Sequence, residues 1–75
     1  MKVTYDEEAD TIYMKLRETE YYESDEITEG FILDYDSEGN VIGIEILRAS
    51  THLNSEDLST VNFEINRKLA PSRDN

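Results

Sequence analysis

Apolar and polar residues alternate along residues 11–17, and this alternation is the clearest pattern in the chain. The apolar positions lie two residues apart, at Ile12, Met14 and Leu16. A period of two with β-branched and aromatic residues predicts a half-buried β-strand. A shorter alternation at residues 2–6 comes first, and an acidic cluster separates the two runs. We therefore predict a β-hairpin formed by residues 2–6 and 11–17.

A second pair of apolar runs surrounds a short polar turn. The runs are residues 30–36 and 40–47, and the residues between them tolerate left-handed backbone angles. In the second run the isoleucines occupy alternate positions, at Ile42, Ile44 and Ile46. Two β-rich runs around a short loop that contains glycine predict a second hairpin.

The two remaining segments have weaker patterns. Residues 18–29 hold six acids, and part of this stretch is compatible with an edge strand. Near the end of the chain, Asn54 followed by two acids predicts a capped helical turn. Alternating Val61, Phe63 and Ile65 then favour a strand in residues 60–66, the alternative being one amphipathic helix over residues 55–69.

These elements predict one small domain of the mainly β or α+β class. We expect an antiparallel β-meander of four strands with a short helical turn, and a fifth strand is favoured. Residues 1–70 form the single β-rich domain, and residues 71–75 are expected to be a frayed C-terminal tail. A domain of 75 residues has a thin core and a small stability margin.

Composition and charge predict where in the cell the protein is found and which classes of molecule it binds. The absence of cysteine, of a signal peptide and of a membrane-length apolar run predicts a cytoplasmic protein that is not bound to a membrane. The net charge is −11, and residues 6–45 contribute −12 from 14 acids and two bases. Such a charge repels phosphate backbones and attracts basic proteins, so we expect no nucleic-acid binding.

No catalytic or metal site is predicted. Residues 34–45 fit a calcium-loop pattern, but the second half of that segment is predicted to be a strand, so we expect no calcium binding there. His52 is the only histidine and there is no cysteine, which leaves too few ligands for structural zinc. Two carboxylates close together could serve acid–base catalysis, but such pairs are inevitable with 18 acids in the chain and do not by themselves indicate an active site. We expect no cofactor and no enzyme activity.

Tyrosine is the residue type that points most directly to a partner. Tyr21 and Tyr22 lie in an acidic stretch with few apolar neighbours, and tyrosine is favoured in protein interfaces. We therefore predict partner contacts at Tyr21, Tyr22, Glu20 and Glu23. The isoleucine-rich face of the sheet is too apolar to remain in water, which predicts a homodimer or a higher oligomer.

Two blocks of sequence resemble a known bacterial and archaeal family. The blocks are Lys2-Val3-Thr4-Tyr5-Asp6, Glu8-Ala9-Asp10, Ile12-Tyr13 and Leu16, and then Gly30, Leu33-Asp34-Tyr35-Asp36, Gly39, Val41-Ile42-Gly43-Ile44-Glu45-Ile46-Leu47 and Ala49-Ser50. Together they resemble the domain of unknown function 2283 over residues 2–51. Arg48 departs from the acidic or amide residue that is usual there.

The resemblance implies a small β-meander domain with no established activity and no catalytic residue. Some members look to be encoded beside small toxin-like proteins, which implies an antitoxin-like role. With the charge, this leads us to expect a non-catalytic acidic domain that binds a basic protein partner. The alternative is a self-associating structural module.

Overall fold

The computed structural model describes residues 1–67 and shows one antiparallel sheet of five strands. The strands are β1 (Lys2–Asp6), β2 (Thr11–Lys15), β3 (Glu23–Thr28), β4 (Phe31–Tyr35) and β5 (Val41–Ile46). A 3₁₀ turn at Ala49–Thr51 and one short helix, α1 (Ser55–Ser59), follow the sheet. The mainly β class with a short helical turn is thus confirmed. The expected frayed tail at residues 71–75 lies outside the described residues.

The strand order is β1-β2-β5-β4-β3, which differs from the order of a simple meander. A meander would place β3 beside β2, but β5 lies there instead and pairs with both β2 and β4. Residues 16–22 must therefore cross three strand spacings, about 14 Å. Seven extended residues reach about 23 Å, so the crossing is easy. The last four strands have the Greek-key arrangement.

Both predicted hairpins are present, and the fifth strand is in a different place from the one favoured by the sequence. It is β3, which lies within the acidic stretch and forms one edge of the sheet. Residues 61–67 form neither a strand nor a helix, so the strand expected at residues 60–66 is wrong. Alternation alone could not form it, because a strand needs a neighbouring strand and no described strand pairs with this segment.

The sheet has an apolar face and a polar face, which the strand register defines. Cross-strand partners share a face, so the apolar face runs through Val3, Met14, Ile44 and Leu33, one from each of four strands. The polar face carries Thr4, Tyr13, Glu45 and Asp34. Little of the apolar face is enclosed: among the described residues the buried apolar side chains are Ile12, Ile42 and Ala49.

A hydrogen-bonded corner joins the first hairpin to the 3₁₀ turn. Asp10, in the left-handed region at φ 52°, accepts hydrogen bonds from the Ser50 hydroxyl at 2.6 Å and from the Tyr5 hydroxyl at 2.7 Å. These donors, Ser50 first, hold the pKa of the Asp10 carboxyl below its ordinary value. The Ala49 N–H also donates to the Asp10 carbonyl at 2.9 Å. The corner therefore secures the chain that leads to α1.

Candidate interaction surface

The residues predicted to contact a partner lie together at the start of β3, on the outer edge of the sheet. Tyr21 and Tyr22 are 58% and 64% exposed, and Glu20 and Glu23 are also exposed. The Tyr22 N–H donates to the Tyr35 carbonyl at 2.8 Å, which ties this segment to the end of β4. The four side chains are thus displayed by a backbone that the sheet holds in place.

β3 is exposed along its whole length because, within residues 1–67, β4 is the one strand that pairs with it. It belongs to a run, residues 18–29, with six acids and no base. The two outermost acids of this run have cationic neighbours, since Glu18 lies 3.2 Å from Lys15 and Glu29 lies 3.8 Å from Arg48. Glu26 accepts a hydrogen bond from the Gly30 N–H at 2.9 Å. The acids left on this edge are Glu20, Glu23 and Asp25.

A chain of hydrogen bonds leads from Tyr21 onto the polar face, and sequence reasoning missed it. The Tyr21 and Ser24 hydroxyls are 2.8 Å apart, and Ser24 donates to an Asp34 carboxyl oxygen at 2.7 Å. The Asp34 side chain is only 4% exposed. The sequence contains part of this information. Asp34 lies between Leu33 and Tyr35, and Glu45 lies between two isoleucines, so both carboxylates project away from these adjacent apolar side chains. Alternation within a strand does not show which residues of two strands lie opposite each other, so it could not show that Asp34 and Glu45 are close.

Glu45 and Asp34 form a carboxyl pair on the polar face. Burial, followed by the hydrogen bond and the charge of Asp34, raises the pKa of Glu45 to about 7. Burial also raises the pKa of Tyr13, with a further contribution from Asp34. Near neutral pH the pair therefore holds a proton that an isolated glutamate would have lost. The pair lies in a shallow concavity that also contains Tyr21 and Thr11.

Gly43 allows Tyr13 to lie flat against the sheet beside this pair. A Cβ atom at Gly43 would lie 2.8 Å from Cζ of Tyr13, closer than real Cβ atoms approach. The glycine within the otherwise branched run of β5 therefore has a packing role. The ring fills the space that a side chain at position 43 would occupy.

The residues that fit the calcium-loop pattern have other roles in this fold. Asp36 accepts hydrogen bonds from the N–H groups of Glu38 and Asn40 at 3.0 and 2.9 Å, and from the Thr19 hydroxyl at 3.0 Å. The hydrogen bonds from Asn40 are the largest cause that lowers the pKa of Asp36 to about 2. Within residues 1–67, no group of three or more potential ligands is placed to hold a metal ion.

His52 caps the 3₁₀ turn and packs edge-on against Phe31, with the ring centroids 4.8 Å apart.

The helical segments among the described residues have three and five residues, and neither is long enough to cross a membrane.

Comparison with known proteins gives a family but no activity. The family model described as "Protein of unknown function (DUF2283)" matches residues 2–50, which contain all five strands and end in the 3₁₀ turn. No curated protein and no solved structure is significantly similar to the chain.

Proposed function

This chain belongs to the DUF2283 family of proteins of unknown function, and from that premise we propose that it is a small, acidic, non-catalytic domain that binds a basic protein partner in the cytoplasm, as an antitoxin does. The observation that carries the proposal is the β3 edge, which is acidic and exposed along its whole length. Two exposed tyrosines lie at its start.

An edge strand can bind a partner through its backbone. In the described sheet, the outward N–H and C=O groups of β3 have no neighbouring strand, so an extended segment of another protein can add to the sheet there. The acids decide which segment is accepted, because like charges placed opposite each other are destabilising and opposite charges are favourable. A strand rich in lysine or arginine fits this edge, and a nucleic acid does not.

The tyrosines add contact area to this edge. Tyrosine buries a large ring at low entropic cost and keeps a hydroxyl available for hydrogen bonds. Tyr21 and Tyr22 lie next to Glu20 and Glu23, so a basic side chain that pairs with an acid also contacts a ring. This combination supports a protein partner rather than a small cation.

The test measures binding of a fluorescent ten-residue peptide of alternating lysine and valine by anisotropy. The triple variant E20Q/E23Q/D25N keeps the shape of the edge and removes three charges. We expect it to raise the Kd at least tenfold, and Y22A to raise it about threefold. The matched control E7Q/E8Q/E38Q removes three exposed charges elsewhere and should change the Kd less than threefold.

Equal weakening by the two triple variants would show that the peptide responds to net charge only, which would refute the proposed surface. Nuclear magnetic resonance supplies a second criterion. The changes in amide chemical shift on peptide binding should be largest in β3 and at Tyr22. Changes that are largest in β1 would also contradict the proposal.

A second candidate function is self-association as a structural module. It is supported by the exposed apolar residues of the described chain, which include Met1, Ile27, Val61, Phe63 and Ile65. A small monomer rarely leaves so many large apolar side chains in water. Sedimentation equilibrium at micromolar concentration tests it: we expect a mass well above 8.7 kDa, and a single monomeric species would refute it.

A further inference from the structure

The second edge of the described sheet, β1, also has no strand on its outer side, but it has a different charge pattern from β3. Its only neighbour in the described sheet is β2. Val3 lies near residues 59–61 and Phe63, yet no backbone hydrogen bond joins these residues to β1. The strand reads Lys-Val-Thr-Tyr-Asp, with one charge of each sign at its two ends. An unpaired edge of this kind is a template for another strand.

We propose that β1 pairs antiparallel with β1 of a second copy of this chain, with Thr4 on the two-fold axis. The inference rests on the self-association proposed above and adds the surface and the register. Pairing about Thr4 places Lys2 opposite Asp6 of the second copy and Asp6 opposite its Lys2. It also places Val3 opposite Tyr5, a favourable pair of a β-branched and an aromatic side chain.

The faces of the sheet agree with this register. Lys2, Thr4 and Asp6 are exposed, and Val3 and Tyr5 are half-buried. The charged pairs therefore meet on the polar face and the apolar pairs meet on the apolar face. A two-fold interface makes each favourable pair twice. The result is one continuous ten-stranded sheet with both faces extended across the axis.

The β3 edge cannot pair with its own copy in this way. Because cross-strand partners share a face, the central two-fold registers of β3 pass through Asp25 or Glu26, and each would place that acid opposite the same acid of the second copy. Pairing of β1 with β3 would leave a free edge at each end and lead to filaments rather than a closed dimer. Of the two edges, β1 is the one suited to a second copy.

An apolar patch beside β1 enlarges this interface. A five-residue strand is only about 17 Å long, which is too little for the roughly 800 Å² per partner that a stable interface buries. Met1, Val61 and Phe63 are 72%, 68% and 69% exposed and lie together with Val3. Since Val3 faces Tyr5 of the second copy, these side chains lie next to that copy and can be covered by it.

Disulfide cross-linking tests the register directly, because the natural chain contains no cysteine. In the full chain, T4C places two thiols opposite each other on the axis, within reach of a disulfide. We expect T4C to form a covalent dimer on mild oxidation. The control T28C, on the β3 edge, should remain largely uncross-linked. Failure of T4C to cross-link, or equal cross-linking of T28C, would overturn the proposed surface.

Charge variants test the same register without a cysteine. K2E places an acid opposite Asp6 of the second copy, and the two-fold symmetry repeats this pair of like charges. We expect K2E to raise the dimer Kd about tenfold at 0.15 M salt. R17E makes the same change in net charge on the crossover and should raise the Kd less than threefold. K2E/D6N removes the opposing acid and should return the Kd to within threefold of the natural chain.

The asparagine in K2E/D6N keeps the side-chain oxygen that accepts hydrogen bonds from the Glu8 and Ala9 N–H groups at 3.0 and 3.2 Å. A natural chain that is dimeric but insensitive to K2E would refute the β1 surface and leave self-association intact. A monomeric natural chain would refute both. Neither result bears on peptide binding at β3, which is measured separately.

Discussion

At the scale of single residues, the carboxyl pair on the polar face makes the stability of the fold depend on pH. The folded chain raises the pKa of Glu45 from its ordinary value of 4.5 to about 7. The folded state therefore binds this proton more tightly than the unfolded state does. By linkage, the contribution to stability is fully present below about pH 4.5 and is lost as the pH rises through about 7.

Replacing Glu45 with glutamine tests this linkage. The pKa shift corresponds to about 3–4 kcal/mol at roughly 1.4 kcal/mol per pKa unit, and solvent around the half-buried Glu45 side chain reduces this to about 1–2 kcal/mol. We expect E45Q to raise the free energy of unfolding by that amount at pH 8 and to change it little at pH 4. Urea denaturation at both pH values measures it. E38Q, on the exposed turn, is the control, and an equal gain in E38Q would contradict the assignment.

Asp36 has the opposite linkage, because its pKa in the folded chain is lowered to about 2. Its contribution is present above about pH 4 and is lost as the pH falls towards 2. D36A removes the acceptor of hydrogen bonds that close the β4–β5 turn and hold the crossover. We expect the melting temperature to fall by more than about 8 °C at pH 7. S37A, an exposed neighbour, should change it by less than about 2 °C, and a similar effect in both variants would contradict this role.

At the scale of elements, position in the sheet decides what each segment does. β3 has little apolar character, but pairing with β4 and the tether at Tyr22 make it a strand. Residues 61–67 have the better alternation and form no strand, because they pair with no described strand. Backbone pairing outweighs intrinsic propensity in both segments.

The segment after α1 should contribute to association and not to the stability of the monomer. Val61, Phe63 and Ile65 are 68%, 69% and 61% exposed, so changing them to serine removes little packing. We expect V61S/F63S/I65S to change the free energy of unfolding of the monomer by less than about 0.5 kcal/mol. The same variant should weaken self-association at least tenfold. Urea denaturation at low concentration and sedimentation give the two values, and a loss of more than about 2 kcal/mol would contradict this division.

At the scale of the whole molecule, the thin core favours self-association and the high net charge opposes it. The buried apolar side chains of the described chain are few, so covering the rest of the apolar face favours association. The net charge of −11 opposes bringing two copies together, although it favours a basic partner. Salt therefore affects the two kinds of binding in opposite directions.

Raising the salt concentration from 0.1 to 1 M should tighten self-association and weaken binding of the basic peptide. Screening shortens the Debye length from about 10 to about 3 Å, which removes repulsion between copies and attraction to the peptide. Sedimentation and anisotropy across this range give the two salt slopes. Slopes of the same sign would show that one of the two binding modes is not governed by charge as we propose.

The local elements and the acidic character of the chain follow from the order and the types of its residues. Period-two alternation identified β2 and β5 and the face that each buries, since successive side chains of a strand point to opposite sides. Turn residues located both hairpins, and Tyr21 and Tyr22, which are predicted to contact a partner, are exposed. These features depend on neighbours along the chain, so they can be deduced from its order.

Which strands are neighbours depends on the folded sheet as a whole. The insertion of β5 between β2 and β4 brought Tyr13 beside Glu45 and placed Asp34 opposite Gly43. The same order left β1 and β3 as the free edges. Strand order is set by contacts between distant parts of the chain, and alternation within a segment is the same whichever strand lies beside it. The carboxyl pair and both binding edges therefore became visible only in the folded sheet.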